Sequence, residues 1–355
     1  MTARQDVRRV PTERPSRDGD ERTRLLADAA RTIDSPGLVI ALSHRGHRTL
    51  RHGAVPPGDV PRDRLHYELG SASKPFTGLL LAALVAAGRV RYEDSAAGLL
   101  APGHPVHPAV RAITLRHLIT HTSGLPGAPA DFYPQALPRW STAPYSGYPA
   151  DRVVRAFLRA RPRHRPGTRW HYSNFAVSVL GHTLAAATGT PWEALLQQEV
   201  LGPLGLDGTR PRPGPPGSDA VGHRRDGGPV PALDTGGFTA AGAVRATPLD
   251  LLTFLEAHLP GAVAPTRPLA AAFAEVRRPL LRRGLRHAHT HTLTWFRHPS
   301  PRGPVYFHAG ATLGQQAFLG FRPDTGTAVA AVTTRRVHRT DPFIATIHGL
   351  LMERL

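Results

Sequence analysis

Strand-like alternation occurs only near the two ends of this chain, and helical periodicity fills the space between. The stretch GLVIALSHRGHRTLRHGAV, residues 37–55, reads as a hairpin turning around Gly46. After about residue 288 the pattern is strand-like again, in HTHTLTWFR, PVYFHAG, LGQQAFLGF and TAVAAVTT. From Ser71 the period is helical, with Phe76, Leu79, Leu80, Ala83 and Leu84 on one face and Gly88 as the expected C-terminal stop. Residues 90–245 alternate short helical patterns with Pro/Gly-rich loops. Thr247-Pro248-Leu249-Asp250 then opens a helix, a cap residue followed by proline at the first helical position. The chain ends in a helix from Asp341-Pro342, with Phe343, Ile344, Ile347, Leu350 and Leu351 on its apolar side. Consecutive strands joined by short turns imply an antiparallel sheet. The expected fold is therefore α+β. An antiparallel sheet flanked by helices is built from residues 25–74 plus about 246–355, and a mainly helical region, about 75–245, is inserted within the single domain 25–355. Residues 1–24, polar and of mixed charge, read as a disordered N-terminal segment.

At 355 residues the chain can bury a sizeable core. Its formal net charge of +18 invites a nucleic-acid reading. The arginines are scattered, however, and no helix-turn-helix, RNP or zinc-finger pattern accompanies the two clusters, Arg152 to Arg169 and Arg277 to Arg302. They read as solvated faces, or as a patch that attracts an anionic substrate or acyl carrier. There is no cysteine, which excludes disulfides, thiolate metal sites and cysteine nucleophiles. The N-terminal segment has no apolar core, and no 18-residue apolar run follows it, so neither export nor membrane insertion is expected and the cytoplasm is the expected location.

Lys74, in GSASKPFT, is the only lysine; all other basic residues are arginine. Ser71 and Lys74 are spaced i, i+3, which at a helix start puts both side chains on one face, about 5–6 Å apart at Cβ. A serine hydroxyl becomes a nucleophile when a neighbouring base takes its proton. A buried lysine can be that base, because burial lowers its pKa. Arginine cannot, since its guanidinium stays protonated. Asn174 is likewise the only asparagine, and it stands in Tyr172-Ser173-Asn174. A tyrosine hydroxyl shuttles protons, and an asparagine amide offers a donor and an acceptor.

These segments resemble the serine hydrolases of the class C β-lactamase and penicillin-binding-protein-like family. ELGSASKPFTGLLLAALVAAGRV resembles its nucleophile helix, ITLRHLITHTSGLPG the signature segment after it, and WHYSNFAVSVLGHTLAAATG its tyrosine motif. AAGAVRATPLDLLTFL resembles the glycine/threonine segment before a late helix, and YFHAGATLGQQAFLGFRPDTG the third-motif strand and hairpin. The matches run in family order from about residue 25. The resemblance implies Ser71 as the acylated nucleophile, Lys74 and Tyr172 as general base and acid, and Asn174 as the residue orienting lysine and substrate. In the third motif, His308-Ala309-Gly310-Ala311, it implies that Gly310 lets the strand edge approach the substrate. It also implies that the N–H groups of Ser71 and Ala311 form an oxyanion hole, each donor worth about 10²–10³ in rate. Lys-Thr-Gly or Lys-Ser-Gly is usual at that motif, where it grips a substrate carboxylate. His308 and Ala309 weaken such a grip.

The resulting expectation is a serine hydrolase cleaving an ester or amide through acyl-Ser71, esterase- or peptidase-like rather than a true β-lactamase, with no metal or cofactor. Its partner would be a small ester, amide or acyl donor. Two alternatives stand beside it: an acyltransferase passing the acyl group to an alcohol or amine, and a non-catalytic ligand-binding protein. The run His287-Ala288-His289-Thr290-His291 could bind a metal, but no carboxylate or cysteine accompanies it and it reads as a polar strand face. His117 and His121 fall within the family-like THTSGLP segment. Trp140, Tyr145 and Tyr148 lie in a Pro-rich loop, between lining a pocket mouth and packing the loop.

Overall fold

The hairpin forms as β1 (Val39–His44) and β2 (His47–His52). Its two turn residues, Arg45 and Gly46, both have positive φ (51° and 83°), the geometry that matches strand twist in two-residue hairpins. The structure, a computed structural model, describes residues 17–54, 60–283 and 289–353.

The other edge of β1 pairs antiparallel with the last strand, β11 (Thr327–Thr333), from Val39↔Val332 to His44↔Thr327. This pairing joins the two ends of the chain in one sheet. β10 (Gln316–Arg322), β9 (Val305–Ala311), β8 (Phe296–His298), β7 (His289–His291) and β6 (Leu281–Arg283) continue it, in the order β2-β1-β11-β10-β9-β8-β7-β6. Every pairing in it is antiparallel.

Both faces of the central strands are buried, which explains why TAVAAVTT is apolar throughout. Ile40, Leu42, Phe318, Val329 and Ala331 face a layer made by α1 (Arg17–Ile33) and the C-terminal helix Phe343–Met352. Val39, Ala41, Leu319, Phe321, Ala330 and Val332 face the helical region and share its core. Each of the valine, isoleucine, leucine and phenylalanine side chains among them contributes about 1.5–3 kcal/mol when fully buried.

α1 begins at Arg17, so residues 17–24, expected to be disordered, form its first two turns. Those turns carry charge rather than apolar periodicity. The anchoring stripe, Leu26, Ala29, Ala30 and Ile33, comes later. HTHTLTWFR is not one strand: a turn closed by Trp295 N–H on Thr292 Oγ1 (3.0 Å) separates β7 from β8. A small sheet also forms, with β3 (Tyr67–Glu68), β5 (Arg245–Ala246) and β4 (Thr209–Arg210) side by side. Among the described residues, no helix is long and apolar enough to cross a membrane.

Candidate active site

A 3-10 turn, Gly70–Ser73, leads into α2 (Lys74–Ala86), which is buried on all sides from Lys74 to Leu84. Gly88, at φ 70°, ends it: its N–H reaches Val85 O and Arg89 N–H reaches Leu84 O. The turn is held against β9 for a reason of pairing. β8 pairs with β9 only as far as Phe307, so residues 308–311 keep one free edge, and the turn packs there. Two glycines permit the approach. A Cβ on Gly310 would stand 2.0 Å from Leu69 O and 2.4 Å from Ala72 N; one on Gly70 would stand 2.4 Å from Ala311 O. The missing side chain of Gly310 therefore makes room for the Gly70–Ser73 turn itself, where the sequence reading gave that room to substrate. Ser71 N–H lies in the turn's first residues, where a helix leaves donors free, beside the exposed Ala311.

Lys74 is 1% exposed. Its Nζ contacts Asn174 Oδ1 (2.8 Å), Ala241 O (2.9 Å) and Ser71 Oγ (3.3 Å). None of these partners is charged. Burial therefore acts unopposed and pushes the ammonium down to about 7. A neutral lysine has two N–H donors and one lone pair. Both carbonyl oxygens can only accept, so they take the donors, and the lone pair is left facing the Ser71 hydroxyl. That is the geometry of a general base.

The Tyr172 ring lies 4.8 Å from Lys74 Nζ, and its hydroxyl hydrogen-bonds with Ser71. Burial pushes the phenol up to about 12, with the Ser71 hydrogen bond pulling the other way, so Tyr172 holds its proton at neutral pH and can pass it to a leaving group. The Tyr172–Asn174 segment is positioned by Ser173, which caps the helix Asn174–Thr188: Ala176 N–H donates to its hydroxyl, which donates to Pro126 O. His121, at φ 59°, accepts from Ser173 N–H and lays its ring 4.5 Å from that of Tyr172. His117 closes a capping box with Thr114 instead. On the opposite side, Thr77 donates to Ala240 O and Ser73 accepts from Val244 N–H, fixing the Ala241 carbonyl over Lys74.

His308 is 2% exposed, its ring tilted against that of Phe296 (5.2 Å), and burial with the Lys74 charge nearby pushes it down to about 3. It is a neutral imidazole. Ala309 points the other way, against the layer of α1 and the C-terminal helix, and meets the site only at the lip of a groove with Val337 and Ile344. His291 is buried against Trp170 and Phe296 and is not part of a polar strand face. His287 and Ala288 lie outside the described residues.

Ser71 and Asn174 open onto a cleft of about 330 Å³ walled by Phe132, Trp140, Tyr145, Leu233, Phe238 and Leu313. Trp140 and Tyr145 thus line it, and Tyr145 hydrogen-bonds Asn174, whereas Tyr148 is fully buried and donates to Asp131. Among the described residues, Arg336 is the only charged one lining the cleft, and its guanidinium has no partner there. Sequence reasoning missed Phe132, Leu233, Phe238, Leu313 and Arg336, which come from separate parts of the chain with no common pattern. The Ala241 carbonyl, a backbone group, carries no sequence signal at all.

Residues 23–350 match the family model described as Beta-lactamase. The chain belongs to the beta-lactamase family. That is a family of serine hydrolases. The chain is 30% identical to penicillin-binding protein 4 of Amycolatopsis lactamdurans over 336 residues, 86% of this chain and 83% of that protein. It is 28% identical to the D-alanyl-D-alanine-carboxypeptidase/endopeptidase AmpH of Escherichia coli (strain K12) over 236 residues, 63% of this chain and only 57% of AmpH, little over half its length. The beta-lactamase/D-alanine carboxypeptidase of Pseudomonas syringae shares the fold, with a TM-score of 0.80 at 20% identity over 94% of this chain and 99% of that one.

Proposed function

We propose that this member of the family is an esterase-like serine hydrolase that acylates Ser71 with a bulky, largely apolar acyl group. The observation that carries the reading is the third-motif strand. β9 presents a buried neutral imidazole at His308 and turns the Ala309 methyl to its other face, hence this strand offers neither a cation nor a hydroxyl to grip a carboxylate. The one cation lining the cleft among the described residues, Arg336, stands on the segment after β11. The aromatic walls of the cleft suit an apolar acyl group. In acylation Lys74 takes the Ser71 proton, Oγ attacks the carbonyl carbon, the N–H groups of Ser71 and Ala311 receive the oxyanion, and Tyr172 protonates the leaving alcohol. Water then attacks the acyl-enzyme with the same pair as base and acid.

One feature favours transfer to an alcohol as a second reading. Trp140, stacked with Tyr133, and Val337 leave large apolar surfaces exposed around the cleft (48%, 46% and 44%), which an apolar acceptor would cover while excluding water.

The test compares kcat/KM for p-nitrophenyl butyrate with that for a penicillin and a cephalosporin, then adds alcohol acceptors and measures free acid against acyl product. The ester is expected to be turned over faster by at least about tenfold. A β-lactam turned over better overturns the esterase reading, and free acid with every acceptor retires transfer.

A further inference from the structure

A second, larger cleft of about 670 Å³ lies on the helix Ala150–Leu158 and shares no lining residue with the catalytic one. Five arginines line it: Arg152, Arg155, Arg159, Arg161 and Arg163. The first three are spaced i, i+3 and i+7 and so share one helical face. The last two stand on the loop that follows, where Arg163 N–H is anchored to Gly124 O at 2.8 Å. Arg152 is paired with Asp131 and Arg155 with Asp151. Arg159, Arg161 and Arg163 have no partner among the described residues.

A basic residue at a helix C-terminus is favoured by the helix dipole. That accounts for Arg155 or Arg159 but not for Arg161 and Arg163, which lie beyond the helix yet turn to the same concavity. Placing five guanidiniums around one cleft costs repulsion, which an anion would relieve. The wall is also half apolar: half-buried Pro126, Ala156 and Ala160 sit over Phe175.

We propose that this cleft binds a nucleoside diphosphate or a close relative of that class. Three unpaired guanidiniums match the roughly three negative charges of a diphosphate by forked N–H···O contacts, and the apolar wall takes the flat base. A concave site of this size with a single carboxylate in its lining favours a small oligophosphate over the broad face of an acidic protein.

The experiment is calorimetric titration of the full chain with ADP, AMP and poly-glutamate, at low and at about 0.3 M salt, with ester turnover followed in parallel. One ADP per chain is expected, bound at least about tenfold more tightly than AMP and weakened by salt. Combined Arg159→Ala, Arg161→Ala and Arg163→Ala is expected to weaken ADP about tenfold or more while leaving ester turnover unchanged, since these side chains are exposed and outside the catalytic cleft. Absence of saturable ADP binding overturns the proposal. An equal loss from the control pair Arg51→Ala and Arg267→Ala overturns it by showing non-specific attraction. Poly-glutamate binding more tightly than ADP, with the same arginine dependence, overturns it in favour of an acidic protein partner.

Discussion

Lys74 is where stability and chemistry pull in opposite directions. Its pKa is about 7 in the fold and near 10.4 in an unfolded chain. Between those values the unfolded state binds the extra proton, so stability rises with pH from about 7 to about 10.5. Keeping this side chain neutral near pH 7 thus costs the fold several kcal/mol. Lys74→Met is predicted to abolish acylation and yet to raise unfolding free energy at pH 7 by about 2 kcal/mol, once the lost hydrogen bonds to Asn174 and Ala241 are set against the gain; urea denaturation reads it, and a destabilised variant contradicts it. Lys74→Arg is predicted to acylate as poorly as Lys74→Ala, because charge without a lone pair is no base. Burst-phase acylation by the wild type should rise with pH about a midpoint near 7, and a flat profile from pH 5.5 to 8.5 would sink the assignment of Lys74 as base. This residue was legible in the sequence because composition had removed every other lysine, and the structure gives the physical reason: its site is buried and free of carboxylates. His308 was legible only as a position. Its neutrality depends on burial under Phe296 and beside Lys74, which no local pattern encodes.

Elements were readable where their signals are local. The Gly46 hairpin, the Thr247-Pro248 helix start and the Gly88 stop each follow from one or two residues acting through φ or a cap. β3, β4 and β5 were not readable, since two-residue strands have no period and exist only through pairing across about 35 to 180 positions of sequence. The start of α1 was lost for the reverse reason, a helical end with no apolar stripe. The decisive junction between elements is the approach of the Gly70–Ser73 turn to the free edge of β9. Gly310→Ala places a methyl against Leu69 O and Ala72 N, both backbone atoms that cannot swing aside. It is predicted to cost more than about 2 kcal/mol of stability and to reduce ester kcat/KM by at least about a hundredfold, since the oxyanion donors separate. Wild-type thermal unfolding and turnover in this variant would show that the turn can shift freely.

At the scale of the whole molecule, one buried ion pair ties together parts that lie far apart in the chain. Glu68, just before the Gly70–Ser73 turn, meets Arg245 at 3.3 Å with both side chains almost fully buried. Arg245 also donates to Leu233 O (2.7 Å), and Leu233 N–H donates to Glu68 Oε1. Glu68 N–H in turn donates to Gln315, on the turn between β9 and β10, whose amide reaches Ala220 O. The pair thus positions Leu233, a wall of the Ser71 cleft, relative to both Ser71 and β9. Neither residue stood out in the sequence, because an ion pair 177 positions apart leaves no local mark. Removing Glu68 leaves the buried Arg245 with only the more distant Asp219 (3.7 Å) as counter-charge, whereas removing both partners need not strand a charge. Glu68→Gln is therefore predicted to cost about 3–5 kcal/mol, and Glu68→Gln with Arg245→Met to recover at least about half of that, both read by urea denaturation. The function should respond unevenly. With Leu233 no longer held, KM for p-nitrophenyl butyrate is expected to rise about tenfold in Glu68→Gln while that for the acetate, too short to reach the wall, changes little. Equal losses on both esters would place the effect at Ser71 rather than at the wall, and unchanged stability would mean that the pair holds nothing together.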